Sequence, residues 1–161
     1  MTKSNIPPGI GKAAGSKAQG DALLLLDHQL CFALYSASLA MTRLYKPLLE
    51  TLGLTYPQYL VMLALWEQDG LSVSGLGARL SLDSGTLTPL LKRLEAGALV
   101  SRLRAVDDER RVHVTLTAAG RKLKAAAADV PGCILQATRC SVPEITALTR
   151  QVQALRQRLV A

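Results

Sequence analysis

Three shortages frame this 161-residue chain. Its three cysteines, at positions 31, 133 and 140, are too few and too widely spaced for a disulfide scaffold or a zinc site, so no metal or cofactor is implied. No apolar run reaches the ~18 residues that a membrane-crossing helix needs. The opening stretch MTKSNIPPGIGKAAGSKAQG also lacks the apolar segment of a secretory signal, so a cytoplasmic protein is expected. Acidic residues are scarce as well: 12 Asp and Glu stand against 19 Lys and Arg, leaving a net charge of +7. Such an excess on a small protein points to an anionic partner, nucleic acid before an acidic membrane surface.

What is abundant is helical periodicity. Residues 1–20 have almost nothing to bury and read as a flexible basic tail, with a single domain over 21–161 opening at Asp21, a plausible N-cap. Leu23, Leu26, Leu30, Leu34, Met41, Leu44 and Leu48 recur at helical intervals and predict one long amphipathic helix, ended by Pro47 and Gly53. A second helix is expected from Tyr56 to Gln68, with Thr55 as its cap, Pro57 at its first position and Gly70 as its stop.

The segments VSGLGARL and SGTLTPLLKRLEAGAL, joined by the tight SLD turn, form a helix-turn-helix candidate within a DNA-binding part of about residues 55–117. On the second helix Leu87, Leu90, Leu91 and Leu94 make an inward stripe, while Ser84, Thr88 and Lys92 align outward beside Thr86, Pro89 and Arg93. Small hydroxylated and basic side chains suit base edges and phosphates, with Arg93 on phosphate and a local kink at Pro89.

After Gly97 the period falls to two: LVSRLRA and RVHVTLT alternate around VDDER, predicting a β-hairpin. Its tip carries Asp107, Asp108, Glu109, Arg110 and Arg111. Arg110, supported by Asp108 and accompanied by Arg111, could reach a minor groove. Thr117 caps a further helix that runs to a break at Pro131 and Gly132, and a last helix spans PEITALTRQVQALRQRLV. The first and last helices carry more apolar surface than one small domain covers, so a homodimer about a twofold axis is expected.

This order of elements, mainly α with a small β-hairpin, resembles the MarR family of dimeric winged helix-turn-helix transcription regulators. The strings LDHQLCFALYSA, RLYKPLLETLGLTYPQYLVMLALWE and LDSGTLTPLLKRLE are similar to its OhrR subgroup, which represses organic hydroperoxide resistance genes. The resemblance implies that Cys31 is the peroxide sensor, held by hydrogen bonds from the matching tyrosines, Tyr45 and Tyr56, of the partner subunit. Fourteen helical residues rise about 21 Å, so Cys31 and Tyr45 cannot touch within one straight helix.

The chemistry has its own demands. Only a thiolate attacks an O–O bond, and an apolar site disfavours the anion, so a donor must stabilise it. Tyr45 and Tyr56 can donate, whereas Cys31 lies too deep in the expected helix for its N-terminal dipole to help. His28 is read as solvent-facing and paired with Asp27, and an apolar lining that includes Phe32 and Tyr35 favours bulky organic or lipid hydroperoxides. The resemblance further implies a resolving thiol on a late helix of the partner. Cys133 is preferred to Cys140, the two facing one side if the helix is continuous. A disulfide would then move the helices that carry the recognition helices, releasing operator DNA. Two other readings stay open: a MarR-type regulator induced by small phenolic ligands, and a thiol peroxidase enzyme, for which the DNA-binding features have no use.

Overall fold

The computed structural model describes residues 22–104 and 112–160, in two units that divide between Ala40 and Met41. The basic tail, Asp21 and the wing-tip residues Asp107, Asp108, Glu109, Arg110 and Arg111 lie outside the described residues.

In the first unit the expected unbroken helix from Leu23 is corrected. A 3-10 turn at Leu26–His28 precedes helix α1, Leu30–Glu50, with Leu25 extended before the turn and Gln29 extended between the turn and α1. Side chains compete with the helix for its carbonyls: His28 Nδ1 bonds the Ala22 oxygen at 2.9 Å, and the Gln29 amide donates to Leu23 and Leu25. His28 is therefore tied to backbone rather than to Asp27. The break leaves Cys31 in the first turn of α1, not deep within a helix.

The second unit begins inside α1. Pro47 is tolerated in the last turn, and Gly53 at φ +67° closes the helix. The Leu54 amide donates to the Leu49 oxygen at 3.0 Å and the Gly53 amide to Glu50 at 3.1 Å, which satisfies two terminal carbonyls. Helix α2, Tyr56–Glu67, starts one residue earlier relative to Pro57 than expected, so the proline takes its second position. The Gln58 side-chain oxygen caps it, accepting from the Thr55 amide at 2.8 Å. Tyr59, Val61, Met62, Ala64 and Leu65 are buried around much of its circumference, so α2 is the central helix of the core.

A two-residue strand, β1 at Leu71–Ser72, leads into α3, Val73–Leu80, and α4, Ser84–Ala96. The Ser81–Asp83 turn between them requires close approach. Ser81 adopts φ 56°, the Leu82 amide donates to the Gly77 oxygen at 2.9 Å, and a Cβ on Gly77 would stand 2.8 Å from the Leu82 oxygen. The predicted stripe of Leu87, Leu90, Leu91 and Leu94 is the buried face of α4. Each such leucine contributes about 2 kcal/mol of apolar burial. Pro89 does not end α4, which runs on to Ala96.

Strands β2, Val100–Arg104, and β3, Val112–Leu116, form the predicted hairpin, with Val100 opposite Leu116 and Arg104 opposite Val112. β1 adds to its other side, giving an antiparallel sheet in the order β1-β3-β2 rather than a hairpin alone. Thr117 caps α5, Ala118–Ala126, accepting the Gly120 amide at 3.0 Å.

The next break is also corrected. It falls before Val130, and Pro131 and Gly132 lie inside a further helix, α6 at Val130–Thr138, with the proline in its first turn where a missing N–H costs nothing. Arg139, at φ 55°, separates α6 from α7, Val142–Val160. Among the described residues no helix is long and apolar enough to cross a membrane.

Candidate functional site

The DNA-facing candidates gather at the start and outer face of α4. Asp83 is its N-cap: one carboxylate oxygen accepts the Thr86 amide at 2.8 Å and the other the Thr86 hydroxyl at 3.0 Å. The Thr86 amide is the main cause that holds the Asp83 carboxyl below its ordinary value, with the hydroxyl second. Thr88 is half-buried and donates to the Ser84 oxygen at 2.7 Å. The two threonines therefore offer lone pairs outward, while Ser84, Lys92 and Arg93 are exposed. Beside this face a cleft of about 800 Å³ opens between α4 and the wing, lined by Ser84, Thr88, Arg102 and His113 among others. Glu95 on α4 accepts from Arg102 on β2, whose Nε lies 2.9 Å away, so recognition helix and wing are tied together.

The thiols are all exposed in the single chain. Cys31 sits in the first turn of α1, one residue after the helix begins at Leu30. Cys133 is on α6. Cys140 follows Arg139 in the link to α7, where its thiol donates to the Thr138 oxygen at 3.4 Å. The continuous helix on which both would face one side is not present: the left-handed Arg139 ends the helix between them.

Tyr45 and Tyr56 are brought together, ring centroids 4.7 Å apart, and Tyr59 packs 5.9 Å from Tyr45. Burial raises the Tyr45 pKa, aided by Tyr56 and Tyr59, and burial also raises that of Tyr56. Both phenols stay protonated and can donate. Because these values lie above 10.0, their contribution to stability is complete at neutral pH and is lost only as pH climbs through the raised values. Alkaline titration of tyrosinate absorbance is expected to show both ionising late, and Tyr56→Phe is expected to bring Tyr45 back toward 10.0. A Tyr45 transition unmoved by that substitution would contradict the arrangement.

Known proteins share this architecture. A family model described as transcriptional regulator SarA/Rot matches residues 43–127. The organic hydroperoxide resistance transcriptional regulator of Bacillus subtilis (strain 168) is 48% identical over 134 residues, 83% of this chain and 91% of that protein. The chain belongs to the MarR-type transcription regulators, in the OhrR subgroup.

Solved structures of AbfR, from Staphylococcus epidermidis, are similar to this OhrR-type chain. Reduced AbfR bound to DNA superposes with a TM-score of 0.72 at 33% identity, covering 89% of this chain and 99% of AbfR. Disulfide-formed AbfR superposes with 0.57 at 34% identity, covering 86% and 97%. In this OhrR-type regulator the sequence pointed to the recognition helix but missed three supports. Gly77 permits the tight turn, and its only signal was a glycine inside a helical pattern. The Glu95–Arg102 pair and Asp69, whose carboxylate accepts the Leu116 amide at 2.8 Å, had none, because their partners are set by sheet register. Among the described residues no cluster of His, Cys, Asp or Glu could hold a metal ion.

Proposed function

We propose that this regulator is a cytoplasmic homodimeric repressor, not an enzyme, that releases operator DNA when an organic hydroperoxide oxidises Cys31. The observation that carries the reading is an exposed thiol in the first turn of α1 of an OhrR-subgroup chain. The sulfur anion attacks the peroxide oxygen, the O–O bond breaks, and the alkoxide leaves and is protonated to the alcohol. A sulfenic acid remains. Tyr45 and Tyr56 of the partner donate hydrogen bonds to the sulfur anion. A second thiol, Cys133 before Cys140, attacks the sulfenic sulfur across the dimer, expels water and forms the disulfide.

A second copy of the chain has apolar surface to cover. Leu148, Val152 and Leu159 on α7 are 56%, 41% and 73% exposed, and α7 buries no residue in the single chain. DNA is contacted through Ser84, Thr86, Thr88 and Lys92 in the major groove, Arg93 on phosphate, and Arg110 and Arg111, supported by Asp108, at the minor groove. The DNA-binding part is about residues 55–117, within a single domain over 21–161 preceded by a basic tail.

Operator binding before and after cumene hydroperoxide, with non-reducing gels alongside, tests this reading. Cys133→Ser is expected to abolish the interchain disulfide while Cys140→Ser retains it; the reverse outcome would transfer the resolving role to Cys140. Lys92→Ala is expected to weaken duplex binding and to reduce its salt slope by about one. An unchanged slope would remove Lys92 from the interface.

A further inference from the structure

The wing is held at its root by side chains where its sheet runs out of strand. β1 pairs with β3 only at Leu71↔Val114 and Ser72↔His113. Continued in that register, position 69 faces Leu116, but Gly70 turns there with φ +76° and takes the backbone out of the ladder. The Asp69 side chain stands in for the missing rung: its Oδ1 accepts the Leu116 amide at 2.8 Å and the Gly70 amide at 2.9 Å. The Leu116 carbonyl accepts from Arg121 Nη1 at 2.8 Å, and the same nitrogen lies 3.2 Å from Asp69 Oδ2. One carboxylate and one guanidinium, 52 residues apart, thus satisfy both backbone groups of the last residue in the central strand.

We propose that Asp69 and Arg121 are a positioning pair for DNA binding, fixing the angle at which the wing leaves the domain. The inference rests on the DNA-binding reading above. β3 extends about 14 Å from Leu116 to Val112, so a turn of about 10° at its root moves the far end by about 2 Å, more than a hydrogen bond tolerates. Neither side chain bonds α3 or α4. Loosening the pair therefore misplaces wing contacts while the recognition helix keeps its own.

The test uses the full chain and a fluorescein-labelled duplex enriched by the wild-type protein from a random-sequence pool, with Kd read by anisotropy over a range of KCl. Asp69→Ala and Arg121→Met are expected to weaken binding about tenfold and to make the salt slope shallower by about one, the loss of a phosphate contact. Asp69→Asn, which keeps an acceptor for the Leu116 amide, is expected to fall between wild type and Asp69→Ala. Arg121 is at the surface, so its variant stays folded even if Asp69→Ala does not. Unchanged Kd and slope in folded Arg121→Met, or weaker binding at an unchanged slope, would overturn the proposal. Absence of salt-dependent binding by the wild type would instead overturn the DNA-binding reading.

Discussion

Cys31→Ser is expected to leave the regulator on its DNA when cumene hydroperoxide is added at a dose that weakens the wild-type complex about 100-fold, the upper range for coupled sites. The substitution changes one atom that is exposed in the single chain, and a serine oxygen can still accept from the partner's tyrosines, so affinity before peroxide should match wild type within about twofold. The reaction is another matter. A serine hydroxyl is not ionised at neutral pH, and no base among the described residues bonds position 31, so it cannot open an O–O bond. Anisotropy titrations before and after peroxide, on wild type and variant, read both halves of the expectation. If the variant still lets go of DNA, Cys31 is a bystander and the ligand-induced alternative gains. If wild type consumes peroxide repeatedly with a thiol reductant and no DNA, the enzyme reading gains.

Much of the fold was legible because it depends on local periodicity. The Leu87, Leu90, Leu91 and Leu94 stripe is set by the pitch of one helix, and all four are buried. Thr55 and Thr117 sit at helix starts because a cap is decided within four residues. What local patterns missed has an identifiable cause each time. The helix from Leu23 failed because His28 and Gln29 spend their side chains on nearby carbonyls, a competition invisible to a hydrophobic count. VPGC read as a break because proline and glycine disfavour helix interiors, yet in the first turn of α6 the proline gives up no intrahelical bond and the glycine costs only about 1 kcal/mol. β1 is two residues long, too short to show any alternation, and Asp69 finds Arg121 only through the register that β1 sets. The thiol site was the least legible. Tyr45 and Tyr56 meet through the turn at Gly53, and nothing in their spacing assigns a role to Cys31 without the family resemblance.

Gly120→Ala is expected to lower Tm by about 10 °C, the effect of about 3 kcal/mol on a chain of this size. A Cβ at position 120 would stand 2.0 Å from the Leu99 oxygen and 3.1 Å from its carbonyl carbon, so backbone must move. That oxygen cannot retreat freely, since it accepts the Thr117 amide at 3.1 Å and the Thr117 hydroxyl at 3.2 Å, the contacts that join the end of the wing to the start of α5. If α5 shifts instead, Gly120 carries its own carbonyl away from Trp66 Nε1, 2.9 Å distant, and loosens the tie between α2 and α5. Overpacking of this kind costs up to about 3 kcal/mol, and the lost indole bond adds about 1 kcal/mol. Better helix propensity of alanine returns about 1 kcal/mol, so the net remains near 3 kcal/mol. Gly132→Ala is the matched control: nothing lies within 4 Å of its added Cβ in α6, so the same propensity gain goes unopposed and Tm should rise slightly. Calorimetry on the two variants decides the matter, because equal melting temperatures would mean that α5 does not press on Leu99 as closely as this geometry requires.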